Sequence, residues 1–312
     1  MTNIISFKGK NFMEFLFKRQ LMKLRGFLYK KISYRNITIL TMADGNKLIS
    51  QILKKQAPSA IGKIGATENQ VIREFLSQGK INSSSKSCQF LYSYSGVFPK
   101  NDKIIETFCV QFIDAIKDLD ILAAWFNYGE ANIVKNYAIQ AKAIDLKALE
   151  PYYHEDPWSR YLENKKILVI HPFAESIEKQ YNNRSKIWVN KDCLPVFELN
   201  TIKAPLSDSI VKSEFDSWIE ALNYMKKEME QKDFDVLIVG AGAYSLPLVA
   251  HAKKMGKVGI HLGGSTQILF GIKGGRWDNH EIGQKFYNDY WIRPSKQETP
   301  ENLTKVRSSE YW

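Results

Sequence analysis

Along this chain, short uninterrupted apolar runs alternate with stretches in which apolar residues recur every three or four positions. The runs at 60–65, 119–126, 166–170, 236–239 and 258–262 have the length and continuity of strands buried on both faces. A further strand is expected at 91–97, ended by Phe98-Pro99. Between the runs, Ile105, Phe108, Cys109, Phe112, Ile113 and Ile116 form one helical stripe, and Phe215, Trp218, Ile219, Leu222 and Met225 another. Shorter helices are expected over 48–55, after an Asp44-Gly45 turn, and from about 70 to 78. Residues 83–87 and the proline-bearing, aromatic stretch 150–158 read as loops. Strands alternating with helices predict an α/β fold with a mostly parallel, doubly wound sheet and flanking helices.

The pattern changes at the start of the chain. Met13, Leu16, Phe17, Leu21, Leu24 and Leu28 lie on one helical face, in a segment with nine Lys and Arg residues and Glu14 as its only acid. Residues 1–36 therefore hold +8 of the net charge of +11, and the remaining 276 residues are close to neutral. This gives two units: a basic amphipathic helical segment over 1–40 and an α/β domain over 41–312, with a candidate seam near 150–165. The helix has two readings, an interfacial helix drawn to anionic lipid or a helix packed on the domain with a solvated basic face. It is too charged to span a membrane or serve as a secretory signal. A nearly neutral body argues against nucleic acid as a partner.

Composition narrows the class further. With 44% hydrophobic and 25% charged residues, the 312-residue chain has ample material for a core. Its three cysteines, Cys88, Cys109 and Cys193, are far apart and fit neither a disulfide framework nor a zinc site, so a cytoplasmic setting is expected.

Candidate chemistry gathers where strands end. Gly62-Lys63-Ile64-Gly65-Ala66-Thr67-Glu68 is one such turn, and Gly240-Ala241-Gly242, followed by Tyr244, is a second. The third is Gly263-Gly264-Ser265-Thr266-Gln267, preceded by His261 and followed by Arg276-Trp277. Glycines let backbone approach phosphate, hydroxyls and the Gln267 amide supply donors, and Arg276 beside Trp277 offers a charge and a ring face. Glu68 reads either as a metal ligand or base, or as a cap on the helix that follows. His261 reads either as a base or as a structural hydrogen-bonder, and His171 ends its strand on the same edge. Gly240-Ala241-Gly242 is an incomplete dinucleotide fingerprint: Ser245 stands where the third glycine belongs, and no acid follows the next strand. NAD is therefore not expected.

These three segments together, 62–68, 239–247 and 261–277, resemble the bacterial GT-D-type glycosyltransferase-like family, whose members occur with polysaccharide and protein-glycan assembly genes. The resemblance covers roughly residues 45–312 and leaves the basic segment outside. It implies a Rossmann-like α/β fold and transfer of a sugar from a nucleotide-sugar, a uridine-diphosphate sugar being the expected donor class. The acceptor would be a glycan or lipid-linked, and the enzyme cytoplasmic, at the inner face of the membrane if residues 1–36 bind it. The family often holds manganese or magnesium with an Asp-x-Glu motif. Glu68 matches its Glu, but Ala66 stands where the Asp belongs. Glu68 and His261 are the catalytic candidates. Gly62, Lys63, Gly65, Thr67, Gly240, Gly242, Tyr244, Gly263, Gly264, Ser265, Thr266, Gln267, Arg276 and Trp277 are the donor-binding ones. A nucleotide- or sugar-phosphate-binding protein without transferase activity is the alternative.

Overall fold

Eight parallel strands form one sheet: β1 (Ile39–Leu40), β2 (Ser59–Gly62), β3 (Ile121–Ala124), β4 (Lys142–Asp145), β5 (Lys166–His171), β6 (Glu198–Lys203), β7 (Val236–Val239) and β8 (Val258–His261). Their order is β1-β4-β3-β2-β8-β7-β5-β6. The structure is a computed structural model and describes residues 33–206, 213–301 and 309–312. The basic helix expected over 1–40 lies almost wholly outside those residues. Residues 39–312, which carry the sheet, form one compact unit.

The helices are α1 (Met42–Lys55), α2 (Ala66–Gln78), α3 (Lys86–Ser95), α4 (Asp102–Lys117), α5 (Glu130–Tyr137), α6 (Ala174–Tyr181), α7 (Arg184–Ile187), α8 (Trp218–Glu230), α9 (Ser245–Lys254), α10 (Ser265–Leu269), α11 (Gly275–Asp278) and α12 (Glu281–Phe286). Alternate strand positions divide the core between the two faces of the sheet. Ile61, Ile121, Ile144, Ile167, Val169, Val236, Ile238 and Ile260 share one cluster with Ile49 and Leu53 of α1 and Ile177 of α6. On the other face α9 packs on β2, β7 and β8 and meets α4 and α8. The first half of the chain, β1 to β4, builds one side of the sheet and the second half, β5 to β8, the other, with helices on both faces.

Several local expectations need correction. Asp44-Gly45 is not a turn but lies in the first turns of α1, where Thr41 caps the helix by accepting from the Asp44 amide at 3.2 Å. Gly45 is there for contact, since a Cβ would come within 2.7 Å of the Ala148 Cβ. Residues 91–95 are helical rather than extended. Ser87, Cys88, Leu91 and Ser95 are buried at helical spacing, and buried serines disguise that stripe as alternation. Helix α2 begins at Ala66, earlier than expected, so Thr67 and Glu68 belong to its first turn.

The stretch 150–165 lies within the 39–312 unit. It forms short 3₁₀ turns around Trp158, a fully buried side chain whose indole donates to the Leu149 carbonyl at 3.2 Å. Strands β1, β4 and β6 went unread because they are very short or carry polar residues at the sheet margin.

Candidate functional site

Strands β2 and β8 lie side by side at the centre of the sheet, β2 leading to β3 on one side and β8 entered from β7 on the other. Ligands in such sheets sit beyond the carboxyl ends of the strands at this point. The turn after β2 brings Lys63 there, the turn after β8 brings Gly263 and Gly264, and the turn after β7 brings Gly240.

The last two turns touch. A Cβ on Gly240 would collide with the Gly263 carbonyl oxygen and come within 2.7 Å of the Thr266 hydroxyl and 2.9 Å of the His171 ring. Gly263 itself has φ of +62° and stands beside the Lys63 side chain and the His261 ring, whose Nε2 would lie 3.4 Å from an added Cβ. Gly264 is backed by the rings of Trp277 and Tyr311, each about 3.0 Å from where a Cβ would stand.

Lys63 is the main electrostatic feature of this cluster. It is only 6% exposed, and its ammonium lies over the Trp125 ring at 5.0 Å. Burial holds its pKa below the ordinary lysine value; the Glu150 carboxylate opposes that shift and the Arg276 guanidinium adds to it. Glu150 in turn accepts from the Ser265 hydroxyl at 2.7 Å. Two cations thus sense each other and one carboxylate at the end of the central strands.

His261 is buried, and desolvation followed by the charge of Lys63 drives its pKa down to about 3. A neutral imidazole of that basicity is a hydrogen-bonding group and a poor base. Its Nδ1 and the Thr266 hydroxyl are buried without a partner among the described residues. His171 is likewise pushed to about 3 by burial, and its Nδ1 accepts from the Phe173 amide at 2.9 Å.

Glu68 turns back over the start of its own helix, filling the space a Gly65 side chain would need. It is bonded to its own backbone amide and to Ser95, yet burial dominates and raises its pKa. The Tyr311 hydroxyl feels its charge, so the two lie close together. Cap and candidate base are therefore the same carboxylate. For the metal, the residues do not fit: among the described residues no three His, Cys, Asp or Glu side chains converge as ligands, and Ala66 offers none beside Glu68.

The other expected residues take varied places. Gly62 lies against Leu246 in the sheet packing, and Thr67 is half-buried on α2. Gly242 faces the Ser95 backbone, which joins its turn to the Glu68 neighbourhood. Tyr244 is buried and stacks on Trp218 of α8 at 5.5 Å. Gln267 is fully buried and donates to the Tyr311 carbonyl at 3.0 Å, so it anchors the tail.

Three participants escaped the sequence reading: Glu150, Trp125 and Tyr311. The Arg276 guanidinium donates to the Tyr311 hydroxyl at 3.1 Å and pairs with Glu310 at 3.3 Å. Gly275 donates its amide to the Trp312 carbonyl at 2.9 Å. An aromatic pair closing an otherwise polar tail was the available signal for Tyr311. No spacing in the sequence marks Glu150.

Residues 40–269 match the family model described as a GT-D fold-like domain. No curated protein matches the chain. Among solved structures, a selenomethionine-substituted domain of unknown function 1792 (DUF1792) is similar. Its sequence identity is 14%, its TM-score 0.44, and the match covers 76% of this chain and 81% of that one.

Proposed function

The chain belongs to the GT-D fold-like family, and from that premise we propose that it is a glycosyltransferase whose donor is a nucleotide-sugar, with a uridine-diphosphate sugar as the first candidate. One observation carries the reading: the buried Lys63 ammonium at the carboxyl end of β2 feels both Glu150 and Arg276, beside the two glycine turns after β7 and β8. In the free site Glu150 acts on Lys63 and Glu310 pairs with Arg276 at 3.3 Å; a diphosphate that displaces Glu310 would meet two cations, one of them buried, which suits a departing diphosphate.

In the proposed reaction an acceptor hydroxyl attacks the anomeric carbon of the donor. The sugar–phosphate bond breaks, and the electron pair leaves with the diphosphate toward Lys63 and Arg276. Glu68 receives the hydroxyl proton, a task its raised pKa suits. The unpartnered Thr266 hydroxyl and His261 Nδ1 are offered as contacts for donor oxygens. No step is assigned to a metal, because among the described residues no side chains converge as a cation site.

The acceptor is proposed to be a glycan, free or lipid-linked, of bacterial surface-glycan synthesis. Residues 1–36 would hold the enzyme at the anionic inner face of the membrane, from the cytoplasmic side. Among the described residues no helix is long and apolar enough to cross a membrane. A binding protein without turnover is favoured by one observation, the folding of Glu68 onto its own helix as a cap.

Release of UDP from a panel of UDP-sugars, with cell-wall oligosaccharides as acceptors, decides between the two. Turnover lost in Glu68→Gln supports the transferase. UDP binding without any release supports the binding protein.

A further inference from the structure

A carboxylate close to Lys63 opposes the binding of a diphosphate, yet Glu150 is held there firmly. It follows the 3₁₀ turn Leu146–Leu149 beyond β4. The chain is pinned on both sides of it. The Leu149 carbonyl accepts from the Trp158 indole at 3.2 Å, and the buried Tyr152 ring stacks on Trp188 with centroids 5.3 Å apart. The carboxylate is drawn onto the turn after β8, where the Ser265 hydroxyl donates to its Oε1 at 2.7 Å. Ser265 is itself buried and directly follows Gly263-Gly264, so Glu150 is tied to the turn proposed to hold the donor.

Lys63 stands at the end of the neighbouring strands. Its ammonium feels the Glu150 charge, but the two make no ion pair among the described residues. The ammonium lies instead over the half-buried Trp125 ring at 5.0 Å. Carboxylate and ammonium thus offer a ligand an acceptor and a cation side by side. Ser265 engages one carboxylate oxygen, and a carboxylate has lone pairs for further donors. A glycosyl phosphate matches this pair, because its anomeric phosphate is an anion and its ring hydroxyls are donors. The terminal phosphate of a nucleoside diphosphate brings Glu150 only acceptors. A uronate brings it a second negative charge.

We propose that Glu150 reads the sugar of the donor: it accepts from a hydroxyl of a neutral hexose and disfavours an acidic one. The proposal rests on the nucleotide-sugar reading of the same site and adds the class of sugar. Glu150 is then the specificity-determining residue, and Ser265 positions it. A site built around a hydrogen bond to one substrate group discriminates strongly against analogues that cannot make it, which gives the carboxylate a use that offsets its repulsion of the diphosphate.

The test is calorimetric titration of the full chain with UDP, UDP-glucose, UDP-galactose, UDP-N-acetylglucosamine and UDP-glucuronate. At least one neutral UDP-sugar binds about tenfold more tightly than UDP-glucuronate. Glu150→Gln keeps the shape and an acceptor for Ser265 but removes the charge. In this variant the preferred UDP-sugar loses about tenfold relative to UDP, the loss of one charged hydrogen bond, and its lead over UDP-glucuronate shrinks. Ser265→Ala leaves the charge and removes the tether. It moves both ratios the same way by a smaller factor, and it decides the matter if Glu150→Gln does not fold. A purely structural role would weaken UDP and UDP-sugars alike; unchanged ratios would therefore overturn the proposal. So would wild-type binding of UDP-glucuronate equal to that of the best neutral UDP-sugar. Absence of UDP binding by the wild type would overturn the donor reading and this proposal together, whereas UDP binding with unchanged ratios would overturn this proposal alone.

Discussion

Lys63 keeps its ammonium inside the protein, and its surroundings state the electrostatics of the site in miniature. Burial and Arg276 press it toward the neutral amine, while Glu150 holds the proton on. A bound diphosphate would tip that balance toward the ammonium, so donor binding is expected to draw a proton onto the protein when Lys63 is partly neutral. Glu68 shows the opposite displacement, its carboxyl held above the ordinary range by burial. If it is the base, activity falls as the carboxylate is protonated, and the acidic limb of the rate profile lies above pH 4.5. Glu68→Gln keeps the shape of the cap and is expected to lower turnover at least about a hundredfold, the usual worth of a general base. Its melting temperature is expected to stay within a few degrees of the wild type, as differential scanning fluorimetry would show.

The two buried histidines bear on stability instead. Both have pKa values of about 3 in the fold, against about 6.5 in an unfolded chain. Between those values the unfolded chain binds protons that the folded chain refuses, so stability is lost as pH falls through that window. Each histidine contributes up to about 1.4 kcal/mol per pH unit there. Urea midpoints measured at pH 7, 5.5 and 4.5 should therefore decline. Replacing His171 by Gln should flatten the decline, and an unchanged slope would show that its environment is wetter than described.

At the scale of elements, the site depends on two turns in mutual contact. Gly240→Ala drives a methyl group into the Gly263 carbonyl, the Thr266 hydroxyl and the His171 ring. Overpacking of this kind costs about 1–3 kcal/mol, and here it also displaces the turn proposed to hold the donor. Both the urea midpoint and UDP affinity are expected to fall; a variant that keeps full affinity would place the donor elsewhere. The tail acts on the same turns from above. Glu310 pairs with Arg276 at 3.3 Å, with both side chains about half exposed. Such a pair is worth at most about 1 kcal/mol, so Glu310→Gln leaves stability nearly unchanged. It frees Arg276 for phosphate, and UDP should bind up to about fivefold more tightly at low salt, within the same limit. Weaker binding would mean that the tail builds the site rather than competing for it.

For the whole molecule, the central strands were legible because parallel strands covered on both faces read as unbroken apolar runs. The glycine turns were legible for a related reason, since two or more glycines just after such runs have few uses other than close approach. The margins were not. Lys142–Asp145 and Glu198–Lys203 look like polar linkers because they lie toward the sheet edges. Ser93 and Ser95 passed for the polar half of a strand because a buried serine looks the same in sequence as an exposed one. Glu150 and Tyr311 enter the site by long-range folding, which no local spacing records.

The basic segment is the remaining whole-molecule question, since it holds most of the net charge. A chain lacking residues 1–36 is expected to lose cosedimentation with phosphatidylserine vesicles at low salt, each surface-bound Lys or Arg contributing about 1 kcal/mol. Its domain should still unfold cooperatively; a truncated chain that does not fold would make the segment part of the core.

The most direct test of the donor site is calorimetric titration of UDP into the wild-type chain and into Lys63→Met, which keeps an apolar stem of similar length without the charge. Binding is expected in the wild type and at least about tenfold weaker in the variant, the loss of one charged contact. Equal affinity in the two proteins, or no binding to either, would contradict a nucleotide-sugar site at the ends of β2 and β8.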